Sequence, residues 1–168
     1  PTDINSKAKE ALKAFDDAMG GNPDSVEAYI PKGTNDEYIY DADGGDRTRY
    51  RGGVVRKDTD RFYPAAASKY NCFIMGDNPL TEIHNEKKTD GSSIIVVKES
   101  FGNAFVPFLV DHYEYVYVVD YRYFKSATGK TLAEFVSENG CNTVLFINNL
   151  TATSATARIS DMERLLGI

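Results

Sequence analysis

The sequence predicts an α/β domain built on a mainly parallel sheet covered on both faces. Three observations predict it. Residues 94–97 (Ile-Ile-Val-Val) form an unbroken apolar run, as a strand buried on both faces requires. Similar runs recur at 116–120 and 143–148. Helix-like stretches lie between and after them, and this alternation over 94–166 implies crossovers between parallel strands. The 168 residues suffice for a full core, so the chain reads as a single domain over 1–168.

The elements follow in chain order. Ala8, Ala11, Leu12, Phe15, Ala18 and Met19 recur at helical spacing and predict an amphipathic helix over 5–19, ended by Gly20-Gly21. Short strands are predicted at 26–30, 37–40 and 48–55. Pro31-Lys32-Gly33 and Asp43-Gly44-Gly45-Asp46 punctuate them, so residues 23–60 read as a β-rich N-terminal insertion. Residues 56–69 are polar and irregular. A strand over 70–75 leads into a turn at Gly76-Asp77-Asn78-Pro79. After the 94–97 strand, residues 103–112 read as a helix with Asn103 as N-cap and Pro107 near the first turn. Thr131 and Glu134 form a capping box, Leu132, Phe135 and Val136 face inward, and Gly140 closes that helix. The run at 143–148 is expected to be another buried strand. Residues 151–157 read as a loop, and Ser160 with Glu163 as a second capping box opening a terminal helix that carries Leu165 and Leu166.

Composition narrows the chemistry. Lys plus Arg number 19 against 25 Asp plus Glu, a net charge of −6 that disfavours nucleic acid and anionic membrane as partners. No run approaches the ~18 apolar residues of a membrane span, so no direct membrane insertion is expected. Two cysteines cannot build a four-Cys zinc site. His84 and His112 sit in no metal-ligand spacing, and no metal or cofactor is expected. Cys72 and Cys141, each in a strand-like run, read as buried free thiols. The chain opens on Pro1-Thr2-Asp3 without a signal-like apolar stretch. It reads as a trimmed or mature piece of a longer parent, and the missing leader says nothing of location.

In parallel α/β folds, ligands bind beyond the C-terminal ends of the strands. Three segments should lie there: Lys98-Glu99-Ser100, Asp120-Tyr121-Arg122 and Asn148-Asn149. Ser100 is the most informative residue. It follows a buried strand and precedes a helix, where its hydroxyl would be exposed beside backbone N–H groups suited to an oxyanion. A plain turn or cap residue is the competing reading. The Gly76-Asp77-Asn78 corner offers an Asn amide as an oxyanion donor, against an ordinary β-turn. His84 reads as part of a charged loop after Leu80 and Ile83, and His112 as a helix-terminal residue. Asp41-Ala42-Asp43-Gly44-Gly45-Asp46 lacks the later ligands of a calcium loop. Gly129-Lys130-Thr131 lacks the leading glycine of a P-loop, since Phe124 occupies that position.

One stretch carries more. Ile95-Val96-Val97-Lys98-Glu99-Ser100-Phe101-Gly102-Asn103, running on through Asp111-His112-Tyr113 to Val118-Val119-Asp120-Tyr121-Arg122-Tyr123-Phe124, strongly resembles the DHHW family. These are SGNH-hydrolase-like cell-surface proteins of Gram-positive bacteria, related to alginate O-acetyltransferases. The upstream Phe73-Ile74-Met75-Gly76-Asp77-Asn78-Pro79-Leu80 is similar to the family's strand and Gly-x-Asn corner. The resemblance covers about residues 60–150. It implies an SGNH-like three-layer fold and a serine-dependent surface-polysaccharide O-acyltransferase or esterase. Ser100 would be the nucleophile. Gly76 and Asn78 would be oxyanion donors, and Asn103 a further binding residue. A membrane-bound O-acyltransferase would be the partner that supplies acyl groups, and the location would be extracellular. The family's Asp-His-His-Trp motif, whose Asp-x-His supplies the base, is not matched. Laid on Thr2-Asp3-Ile4-Asn5, it keeps Asp3 and replaces both histidines; on the other reading the motif lies before Pro1. His84, expected near the Gly76 corner, is then the better substitute base. A chain without a base would instead be a degenerate module that binds glycan or a partner protein.

Overall fold

The computed structural model describes residues 28–32, 35–40, 48–51, 54–58, 61 and 66–168. The helix expected over 5–19, Asp3 and the 41–46 turn lie outside these residues. Six strands form one sheet: β1 (Asn35–Tyr40), β2 (Thr48–Arg51), β3 (Leu80–Asn85), β4 (Ser93–Lys98), β5 (Tyr115–Asp120) and β6 (Val144–Ile147). The helices are α1 (Pro107–Val110), α2 (Phe124–Thr128), α3 (Leu132–Asn139) and α4 (Thr156–Leu166). The spatial order is β2-β1-β3-β5-β4-β6.

Within that order, β4 pairs in parallel with both β5 and β6, while β1–β2, β1–β3 and β3–β5 are antiparallel. The sheet is therefore mixed, which corrects the mainly parallel expectation. The cause is β3. His84 reads as part of a charged loop after the short apolar piece Leu80 and Ile83, so no strand is expected over residues 80–85. They form an interior strand that buries Leu80 and Ile83 together with the polar Thr81 and Asn85. The strands β1 and β2, expected in an insertion, extend the same sheet beyond β3.

Strand β4 divides the core. Ile94 and Val96 join Val54, Phe73, Ile74, Ile83, Val106, Val110, Val116 and Val118 on one face. Ile95 and Val97 join Val119, Tyr121, Phe124, Leu132, Phe135 and Leu165 on the other, beneath α2, α3 and α4. The double burial inferred from the apolar run is thus observed. Cys72 and Cys141 are free and buried, and they belong to opposite clusters.

Several boundaries differ from expectation. Residues 70–75 are no strand: a 3-10 turn, Ala66–Cys72, precedes a single bridge between Phe73 and Val55. Only Pro107–Val110 of the expected 103–112 helix is α-helical. The capping box of Thr131 and Glu134 is present, whereas Ser160 lies inside α4, which starts at Thr156 after an N-cap, Ala155, that makes no side-chain bond. Finally, β6 lies at the edge of the sheet, and none of its residues is buried. Among the described residues no helix is long and apolar enough to cross a membrane.

Candidate active site at the carboxyl end of the parallel strands

The three segments expected beyond the strand ends do converge. Lys98 is in register with Asp120 on β5 and with Ile147 on β6. Ser100, Arg122 and Asn148 therefore follow at one rim. Leu80 pairs with Val119, which brings the 76–79 corner to that rim as well.

A buried ionic cluster forms the floor. Lys98 and Asp120 are both fully buried, and Lys98 Nζ lies 3.1 Å from Asp120 Oδ2 and 3.2 Å from Asp77 Oδ1. The Arg122 guanidinium closes the ring, with Nη2 2.7 Å from Asp77 Oδ2 and Nε 2.8 Å from Asp120 Oδ1. Asp120 also accepts from the Arg122 backbone N–H at 3.1 Å. Two cations meet two carboxylates, so the cluster is neutral and densely hydrogen-bonded, the condition under which buried charges are tolerated. Its position follows from the strands: residues in register on adjacent strands send their side chains to the same face.

Asp77 links this floor to the serine turn. Its Oδ1 accepts from Asn103 Nδ2 at 2.9 Å, and the Asn103 N–H in turn donates to the Ser100 carbonyl. Burial pushes the Asp77 carboxyl up. The charge of Lys98 and hydrogen bonds from Arg122 and Asn103 outweigh that and hold it below the usual carboxylate range. Hydrogen bonding to Asp120 raises the Arg122 guanidinium further above its usual value. The stability that Asp77 contributes is therefore complete above about pH 4, near its unfolded value, and fades as pH falls through the lower folded value. The melting temperature of Asp77→Asn should fall clearly below wild type at pH 7, with the gap narrowing progressively as pH is taken below about 4. A gap that does not narrow at all as the solution is acidified through this range would contradict this linkage.

The turn bearing Ser100 is held on two other sides. The Asn149 N–H donates to Glu99 Oε1 at 2.8 Å, tying the end of β6 to the residue before the serine. Tyr70 Oη donates to the Phe101 carbonyl at 3.2 Å and accepts from the Ala104 N–H at 3.3 Å. Gly102 is needed for space, since a Cβ there would lie 2.6 Å from Lys98 Cβ. The Lys98 stem cannot retreat while its ammonium is fixed between two carboxylates. Gly102→Ala should thus cost about 1–3 kcal/mol, read as a shift in the urea midpoint. A change within error would show that the turn yields freely.

The 76–79 corner is strained. Ile74 and Met75 have φ of 45° and 56°, followed by Gly76 at 90°. A left-handed β-branched residue is a true outlier, and strain of this kind gathers at functional sites. The corner uses its own donors to hold this shape: the Gly76 N–H donates to Phe73 O at 3.0 Å, and Asn78 Nδ2 to Ile74 O at 3.2 Å. Gly76 and Asn78 thus sit at the expected rim with those donors engaged locally. Asn103 Oδ1 is buried and accepts no hydrogen bond.

Neither histidine reaches this rim. His84 lies in β3, opposite Tyr115, which is in register with Ser93 at the start of β4. That is five strand residues from Lys98, about 16 Å at ~3.3 Å per residue. It stacks on Tyr115 at 4.7 Å and lies 3.8 Å from Glu114 Oε1. The expectation of His84 in a loop beside the Gly76 corner is corrected accordingly. His112 follows α1 at that same far end. Among the described residues Ser100 Oγ has no hydrogen-bond partner, and no three His, Cys, Asp or Glu groups could hold a metal ion.

These features define an α/β protein with a serine on a tightly held strand–turn corner above a buried ionic floor. The chain belongs to the DHHW protein family, whose model matches residues 13–119. A crystal structure of a DHHW family protein from Eubacterium siraeum DSM 15702 is 26% identical, with a TM-score of 0.72 over 93% of this chain and 48% of that one. Bacillus cereus PatB1 with a sulfonyl adduct is 23% identical, with a TM-score of 0.56 over 78% of this chain and 42% of that one. A further structure of Bacillus cereus PatB1 gives 23% and 0.55, over 77% and 41%. At that identity the PatB1 likeness concerns the fold alone. The chain spans less than half the length of each of these structures. No curated protein matches it.

Proposed function

We propose that this chain carries the nucleophile of an SGNH-like, serine-dependent O-acyltransferase or esterase acting on a cell-surface polysaccharide. The observation that carries this reading is the setting of Ser100, half-buried directly beyond a strand buried on both faces, on a turn fixed by Glu99, Tyr70 and Gly102. A nucleophile gains from such fixing because attack requires a defined trajectory. The proposed reaction runs in two steps. Ser100 Oγ gives its proton to a base and bonds to the acyl carbonyl carbon, and the donor leaves with its electron pair. A polysaccharide hydroxyl or water then displaces Ser100 from the acyl carbon. Thr2-Asp3-Ile4-Asn5 keeps at most the Asp of the family's Asp-x-His, so the reaction needs its base from outside the described residues. An extracellular, Gram-positive setting, with a membrane-bound O-acyltransferase supplying the acyl group, fits this chemistry.

A second reading is a non-catalytic module that binds glycan or a partner protein. Two observations favour it: Ser100 Oγ is unpartnered among the described residues, and Phe101, which follows it, is exposed, as are Phe105 and Phe108 further along the chain. Tyr29 stacks on Phe108 at 5.0 Å, and such faces suit sugar rings. Hydrolysis of p-nitrophenyl acetate separates the two. Turnover that Ser100→Ala lowers on the order of 10^3-fold or more supports the enzyme. No turnover, with glycan binding that Phe108→Ala weakens, supports the module.

A further inference from the structure

We propose that an open pocket at the opposite end of the sheet from Ser100 binds an acidic oligosaccharide, holding its carboxylates with Lys32 and Lys87 and a sugar face with the Tyr29–Phe108 pair. This deepens both glycan readings above; only its use as an anchor for the acyl acceptor rests on the acyl-transfer one.

The sheet places the pocket. Strand β3 leaves the Ser100 rim at Leu80 and reaches Asn85 five residues on, about 16 Å away at ~3.3 Å per residue. Asn85 and the turn after it, the end of α1 and the 29–32 segment bound a volume of about 380 Å3. The turn that carries the lysines is fixed. Buried Asn85 donates through Nδ2 to the Val110 carbonyl at 2.9 Å, and its Oδ1 accepts from the Lys87 N–H at 3.1 Å. The opposite wall is pinned by Asp111, whose Oδ2 accepts from Tyr29 Oη at 2.7 Å and from the Lys32 N–H at 3.0 Å.

Charge points to the ligand. Three lysines and one aspartate line this pocket, on a chain whose net charge is −6. Asp111 is engaged by Tyr29 and Lys32, and Lys88 pairs with Asp90 at 3.0 Å. Lys87 Nζ donates to the Lys32 carbonyl at 3.4 Å, and among the described residues neither Lys32 nor Lys87 meets a carboxylate with its ammonium. Both are exposed, so they carry the excess positive charge to solvent, where an anion is attracted. Tyr29 lines the same pocket and stacks on the exposed Phe108 at 5.0 Å. Free ammonium groups beside an aromatic face select a charged saccharide over a neutral one or a bare ion.

Isothermal titration calorimetry of this chain tests the pocket. Tetragalacturonate should bind at least about fivefold more tightly than neutral maltotetraose, and more weakly as salt is raised. Lys32→Ala combined with Lys87→Ala should weaken it by about three- to tenfold, while Ser100→Ala should leave it within about twofold. If the double variant does not fold, the salt dependence and the charged-to-neutral ratio of the wild-type chain decide alone. Equal affinity for the two tetrasaccharides, no binding of tetragalacturonate below about 10 mM, or affinity untouched by the double substitution would overturn the proposal. So would inorganic phosphate binding as tightly as tetragalacturonate, because a bare anion would then suffice. Binding is read without turnover, so failure here and failure of acyl transfer at Ser100 are told apart.

Discussion

Asp120→Ala is expected to cost about 3–5 kcal/mol, a large share of the ~5–15 kcal/mol that holds a domain of this size. The reason is what it leaves behind. Lys98 would stay fully buried with Asp77 as its remaining carboxylate, and Arg122 would lose its Nε and backbone bonds to Asp120. An uncompensated buried cation is far costlier than a missing contact. The double substitution Lys98→Met with Asp120→Leu removes both charges and keeps similar bulk. It should therefore cost less than the sum of the two single changes, with a coupling of about 1–3 kcal/mol in urea denaturation. Additive single costs, or an Asp120→Ala loss under about 1 kcal/mol, would show that water reaches the cluster and that it is no rigid floor.

The second large effect is chemical. Ser100→Ala removes one oxygen from a half-buried position that has no hydrogen-bond partner among the described residues, so stability should change by less than about 0.5 kcal/mol. Reactivity toward acyl donors should nevertheless vanish, because the proposed acyl bond forms at Ser100 Oγ, whereas the neighbouring Tyr70 hydroxyl is engaged by the Phe101 carbonyl and the Ala104 N–H. This split, stability kept and reactivity lost, separates a nucleophile from a turn residue. A cap or turn serine would show the opposite pattern, with the loss falling on stability.

These two predictions rest on different degrees of legibility. The strand ends were readable: the apolar runs of β4 and β5 place Lys98, Ser100, Asp120 and Arg122 beyond a sheet edge, and parallel pairing brings them together. The fourth member, Asp77, was visible only as a turn residue. Its corner reads as a strand followed by a β-turn, but the backbone takes a left-handed path through Ile74 and Met75 that propensity disfavours. The antiparallel half of the sheet was hidden for another reason. Pairings such as Asp36 with His84 join residues far apart in sequence, and β3 carries its burial on an irregular mix of Leu80, Thr81, Ile83 and Asn85. The start of α4 was misplaced because Ser160 and Glu163 mimic a cap inside a helix that begins without one. For β6, composition shows that a strand is apolar, not whether a neighbour covers it.

The central claim is that Ser100 is a nucleophile. Intact-mass and peptide mass spectrometry after treatment with a fluorophosphonate reads it most directly, on this chain and on a family-length DHHW polypeptide containing it. The account predicts a single phosphonyl group on Ser100 in the longer polypeptide and none after Ser100→Ala. An unlabelled longer polypeptide, or a label that survives Ser100→Ala, would contradict it.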